Sequence, residues 1–194
     1  MTERMWAVDV EGNGATPPEI IELGIVELDG LKLTGRFKQW RFRPKVEITP
    51  VVSRIHGISN EDVADAPPFE EVATDVMQWL EGPPIVGHNV RVELELLSPV
   101  LPCWRLAAAY DTLRVARRLL PKQEKHGLQF LGAVLGLEDA ASLAVGGGTA
   151  HSAAYDAAMS AILLERLLAP LPQREREEIM IDADIIHGSQ GSLL

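Results

Sequence analysis

Residues 5–14 read MWAVDVEGNG, a short apolar run that carries Asp9 and Glu11 and closes in a glycine-rich loop. Side chains two apart on a β-strand share a face, so a strand over residues 5–10 running into Glu11 presents two adjacent carboxylates on one side. Carboxylates beside a buried strand are expensive unless neutralised. A hard divalent cation, which takes oxygen ligands, is the expected partner.

Working outward, residues 20–28 and 32–42 read as two further strands, separated by a Gly/Pro-rich loop at 12–18 and an Asp29-Gly30 turn. The three strands form an antiparallel meander. Ser59-Asn60-Glu61-Asp62 has helix-start chemistry, and the spacing of Phe69, Val72, Ala73, Val76 and Leu80 predicts a helix over 69–80. Residues 84–87 form a strand leading into a helix over 90–97, and residues 106–110 form one leading into a helix opened by Asp111-Thr112. Helices over 127–137 and 151–168 follow, separated by a loop holding Gly146-Gly147-Gly148. The expected fold is α/β, with a mixed central sheet of meander plus parallel strands flanked by helices. Without a repeat or linker, one domain is expected over residues 1–172, followed by a charged tail over 173–194 whose end is unordered.

Two further stretches carry chemistry: VGHNVRVELELL with Glu93, and AHSAAYDA with His151 and Asp156. Five residues turn an α-helix by about 140°, so His151 and Asp156 converge only if His151 precedes the helix. Ser152 is the expected N-cap, which places Asp156 in the early turns facing the sheet and His151 on the loop. Histidine titrates near neutrality and suits a general base for a water nucleophile. Clustered carboxylates suit a pair of divalent ions about 4 Å apart, the arrangement that cleaves phosphodiesters.

The composition fits one globular enzyme-sized domain: 194 residues, 46% hydrophobic and 24% charged. A net charge of −10 disfavours a protein that coats long nucleic acid, without excluding a nuclease whose acids are offset by metal. Cys103 is the only cysteine, so there is no intrachain disulfide, and with no membrane span or leader a soluble protein in a reducing cytoplasm is expected.

Taken in order, VDVEGNG, VGHNVRVELELL, YDTLRVAR and AHSAAYDA resemble the successive motifs of the DEDD exonuclease superfamily, and the histidine five before the last Asp marks the DEDDh, or DnaQ-like, branch. RIHGIS at residues 54–59 resembles a segment common there. The resemblance covers residues 5–168. It implies a ribonuclease-H-like fold and metal-dependent 3′-to-5′ removal of nucleoside 5′-monophosphates from single-stranded or frayed DNA or RNA ends. It further implies two Mg²⁺ or Mn²⁺ ions, with Asp9, Glu11 and Asp156 as direct ligands and Asp9 bridging. Glu93 would act at the second ion through water, and His151 as general base. Glu93 stands where the family usually has Asp, after Val92 in place of Phe, and Gly12-Asn13-Gly14 replaces Thr-Thr-Gly or similar. The alternative is a catalytically weakened module that binds nucleic acid or a polymerase.

Candidate substrate contacts are Gly12, Asn13, His88, Asn89 and the basic set Arg114, Arg117 and Arg118, which can share one helix face. Arg41, Arg43 and Lys45 form a second phosphate-tracking candidate, and Trp40 and Trp79 could stack on bases. His88 and Asn89 also suit structural hydrogen bonding, Asp111 a helix cap, His56 the pinning of a turn, and Glu22 a paired structural acid. A homodimer and a polymerase or repair partner are both compatible with the resemblance, although the short stretch after Pro172 leaves little room for a long polymerase-binding extension.

Overall fold

The computed structural model of the chain describes residues 4–188. Three antiparallel strands open it: β1 (Arg4–Gly12), β2 (Ile20–Asp29) and β3 (Lys32–Arg41). The helices α1 (Pro50–His56), α2 (Asn60–Val63) and α3 (Phe69–Leu80) follow. Then come two parallel units, β4 (Ile85–Gly87) with α4 (Arg91–Val100) and β5 (Ala109–Asp111) with α5 (Thr112–Leu119). The helices α6 (Leu128–Leu135), α7 (Glu138–Ala144), α8 (Ala153–Leu168) and α9 (Gln173–Ala183) complete the described chain. The sheet order is β3-β2-β1-β4-β5, the mixed sheet expected from the sequence.

Strand alternation divides the core. Met5 and Ala7 of β1 pack with α8, whereas Trp6, Val8 and Val10 pack with residues of α3 and α4 on the other face. Asp9 and Glu11 continue the parity of Met5 and Ala7, so they are directed toward the α8 side. The face toward α8 is lined by small residues: Ala153, Ala154, Ala157, Ala158 and Ala161 are all buried. Gly24, the cross-strand partner of Asp9, is where the approach is tightest. A Cβ built there would lie 2.2 Å from the Ala154 amide nitrogen and 2.3 Å from the Ala153 carbonyl carbon. The missing side chain lets the first turn of α8 rest directly on β2.

Several boundaries differ from the sequence reading. β5 is shorter and later than residues 106–110, because residues 101–108 are loop. The helix expected over 127–137 stops at Leu135, where Gly136 adopts φ 64°, and α7 then starts at Glu138. Helix α1 went unread, although Pro50 at its first turn and left-handed Gly57 after its end are ordinary start and stop signals. The charged stretch from residue 173 forms α9, which buries Ile179 and Ala183 in the core that holds α8. Ile185 then donates its N–H to the Ala109 carbonyl at the β5 edge of the sheet. The end of the tail, expected to be unordered, lies outside the described residues.

Replacing Gly24 with Ala should force α8 off the sheet, with a loss of about 3 kcal/mol typical of overpacking against backbone. Thermal unfolding should show a fall in Tm of roughly 6–12 °C for a chain of this size. A Tm within about 1 °C of the parent protein would show that the helix shifts freely.

Candidate functional site

The site lies beside the carboxyl ends of the parallel strands, where loops from separate β–α units converge. Asp9 and Glu11 come from the end of β1, Glu93 from the first turn of α4, and Asp156 from the first turn of α8. His151 precedes α8 on the glycine-rich loop, in a left-handed conformation with φ 63°. These five residues line one cleft of about 370 Å³, together with His88, Val92, Gln129 and Phe130. Potential ligand atoms of Glu11, His151 and Asp156 all lie within 4.8 Å of one another.

The start of α8 is held by an acid from the sheet. Ser152 occupies the N-cap position, but its side chain makes no capping bond and its hydroxyl instead reaches Gln39 at 3.5 Å. The Ala153 N–H donates to Glu22 Oε2 at 2.9 Å, and Arg41 Nε donates to the other oxygen of Glu22 at 2.9 Å. Glu22 is thus a paired structural acid and caps the helix in place of Ser152. Gln129, which the sequence reading missed, donates to Asp156 Oδ1 at 2.6 Å, while the His151 backbone N–H donates to Oδ2 at 3.2 Å. No local pattern marked Gln129; only the packing of α6 on α8 brings it there.

Electrostatics and burial oppose ionisation of these acids. Burial first, then the charges of Glu93, Asp156, Glu11 and Glu22, hold Asp9 well above the usual carboxylate range. Glu11 is pushed up to about 8, mainly by burial and then by Asp156 and Glu22. Burial likewise takes Glu93 up to about 8, with Asp111 and Glu11 adding to it. Asp156 is raised by burial, against the opposing hydrogen bond from Gln129 and the influence of His151. Glu93 is 3% exposed, and its Oε2 has no hydrogen-bond partner. Four convergent carboxylates, one with an orphaned buried oxygen, are the donor set of a hard divalent cation.

The surrounding residues sort themselves by their bonds. Asp111 accepts from the Leu113 N–H, capping α5, and from the Asn89 N–H, both at 2.9 Å. His88 bonds Thr112 Oγ1 at 2.9 Å and the His126 carbonyl at 2.7 Å, so both ring nitrogens are structurally engaged at the rim of the cleft. Asn13 is fully buried; its side chain accepts from the Ala15 and Glu19 N–H groups and donates to Val46 O and Glu19 Oε1. It therefore pins its own loop, leaving Gly12 as the member of that pair that lines open space.

The basic sets are also divided. Arg114 donates to the Asp182 carbonyl and Arg118 pairs with the Asp182 carboxylate, so both are tied to α9. Arg117 instead lies near enough to His88 to oppose its protonation. Arg41 is bound to Glu22, Arg43 to the Ala64 carbonyl and Lys45 to Glu70. Trp40 and Trp79 pack edge to face with centroids 6.0 Å apart, and the Trp40 Nε1–H donates to Asp75 at 2.8 Å. They belong to the core beneath β3. No described helix is long and apolar enough to cross a membrane.

The family model described as an exonuclease matches residues 7–164. DNA polymerase III subunit epsilon of Rickettsia felis is 30% identical over 161 residues, covering 71% of this chain and 69% of the relative. The 3′-5′ exonuclease DinG of Bacillus subtilis is 28% identical over 178 residues, covering 88% of this chain and 18% of the relative. Among solved structures, exonuclease X in complex with 5′ overhanging duplex DNA is 25% identical with a TM-score of 0.68, covering 91% of this chain and 98% of that chain. Escherichia coli exonuclease I in complex with an oligonucleotide shares the fold at 16% identity and a TM-score of 0.73, covering 92% of this chain and 43% of that one. Motifs, sheet topology and comparisons agree: the chain belongs to the DEDD superfamily of 3′-5′ exonucleases, with a ribonuclease-H-like fold.

Proposed function

We propose that this protein hydrolyses the terminal phosphodiester at the 3′ end of single-stranded or frayed nucleic acid, releasing a nucleoside 5′-monophosphate by a two-metal mechanism. The observation that carries the reading is the convergence of Asp9, Glu11, Glu93 and Asp156 on one cleft, with an unpartnered Glu93 oxygen and His151 at its edge. Asp9, Glu11 and Asp156 would hold the more tightly bound ion, and Glu93 the second. Mg²⁺ or Mn²⁺ bound there eases deprotonation of a water and neutralises charge developing on the phosphate. His151 accepts the proton of the attacking water, which forms a bond to phosphorus as the bond to the 3′ oxygen of the preceding nucleotide breaks. Gln129 and the His151 N–H occupy both oxygens of Asp156 and fix its orientation. The subunit epsilon relatives and the DNA complex of exonuclease X favour DNA ends as first substrate, and Arg117 beside His88 is the cation best placed to meet a phosphate at the rim. Polymerase partnership is a corresponding proposal from the epsilon relatives.

Replacing Asp9 or Asp156 with Ala should abolish shortening of 3′-labelled and 5′-labelled oligonucleotides with the fold retained. Replacing His151 with Ala should slow it by about 10²–10⁴-fold, the range for losing a general base, with metal still binding. Substantial turnover by either aspartate variant would contradict the assignment.

The pH dependence follows from the raised carboxyls. Glu11 and Glu93 rise from 4.5 unfolded to about 8 folded, so the folded metal-free protein holds protons that the unfolded chain releases. These groups therefore make folding less favourable as pH climbs from about 4.5 to about 8. Metal needs the same groups deprotonated, so its affinity rises across that window. Differential scanning fluorimetry should show the Tm gain from Mn²⁺ growing with pH over this range, and shrinking strongly in an Asp9→Asn variant. A gain independent of both pH and Asp9 would show that the ion binds elsewhere.

A further inference from the structure

Helix α1 contributes a group that the proposed chemistry leaves unused. His56 is 9% exposed, and its Nδ1 accepts the Ile58 N–H at 3.0 Å. Burial lowers its pKa and keeps the ring neutral. A neutral imidazole that accepts at Nδ1 carries its hydrogen on Nε2, so His56 presents a single fixed donor. That Nε2 has no hydrogen-bond partner; the Gly12 carbonyl lies close, outside good bonding geometry. A buried, unsatisfied N–H is costly enough to call for an acceptor from outside the chain.

The donor lines a groove of about 340 Å³ that shares Val10, Glu11 and Val92 with the catalytic cleft. Its walls are largely apolar, with Val52 and the exposed Ile55 from α1 and exposed Val92 from α4. Glu11 and Glu95 also line it, and no Lys or Arg does, so it repels a phosphate. Flat apolar walls with one hydrogen-bond donor, beside a phosphodiester-cleaving site, fit an aromatic heterocycle. We propose that the groove seats the base of the 3′-terminal nucleotide and that His56 Nε2–H donates to a ring nitrogen or carbonyl of that base. Every base offers such an acceptor on its minor-groove edge, so the contact serves all four sequences. The proposal rests on the exonuclease reading of the adjoining cleft.

The test measures affinity, with Ca²⁺ to permit binding, for oligonucleotides whose 3′-terminal residue is normal or abasic, alongside shortening in Mg²⁺. His56→Asn keeps an acceptor for the Ile58 N–H and withdraws the distal donor. It should weaken binding of the base-bearing end about five-fold, the worth of one neutral hydrogen bond, and leave the abasic end unchanged. Ile55→Asp, at an exposed position that the fold tolerates, should likewise weaken the base-bearing end alone. Equal losses on both ends, or undiminished binding of the base-bearing end, overturn the subsite while wild-type shortening continues. Absence of shortening by the wild-type protein overturns the exonuclease reading instead, and the binding difference still decides the subsite.

Discussion

Like charges held together in a partly buried cleft are the constraint on which this structure turns. Glu11 and Asp156 bring ligand atoms within 4.8 Å, a spacing at which two full charges repel by about 3 kcal/mol at an effective dielectric near 20. Asp9 feels four neighbouring acids besides its own burial. Nothing in such an arrangement favours folding. The surrounding fold must impose it, and the imposed geometry is what gives a divalent ion its affinity.

Three features impose it. Gly24 lets the first turn of α8 rest on β2 directly across from Asp9, which no side chain at that position would allow. Glu22, itself held by Arg41, takes the first free N–H of α8 and so fixes the position of the helix start. Asp111 binds the loop before α4 and the start of α5 at once, setting the position from which Glu93 enters the cleft. Each feature lies outside the proposed ligand set. Their loss would relax the repulsion as it dismantles the site, so stability and activity should respond in opposite directions to changes at the acids themselves and together to changes at these supports.

Much of this was legible from local pattern. The parity of Asp9 and Glu11 follows from strand alternation alone, and the placement of His151 before α8 follows from the angular arithmetic of a helix. Helix α3 was bounded correctly because its apolar spacing is regular and Pro68 precedes it. What escaped depends on tertiary contact. Gln129 has no motif, since its role comes from α6 packing on α8. Ser152 has the right chemistry for a cap, yet a carboxylate from β2 displaces it. The helical spacing of Arg114, Arg117 and Arg118 was read correctly as one surface, but α9 claims Arg114 and Arg118 through Asp182. Asn13 resembled a substrate contact because it follows the acids in sequence; its complete burial answers instead to the loop at residues 13–19.

The most direct test of this account is calorimetric titration of Mn²⁺ into the metal-free chain at neutral pH, repeated in buffers of different ionisation enthalpy to count the protons released. Saturable binding of two ions with net proton release, lost in an Asp9→Asn variant, is the predicted result, because ligands held partly protonated by their mutual repulsion must ionise to bind metal. Binding without proton release, or unchanged by that substitution, would contradict the claim that these acids are assembled to hold metal.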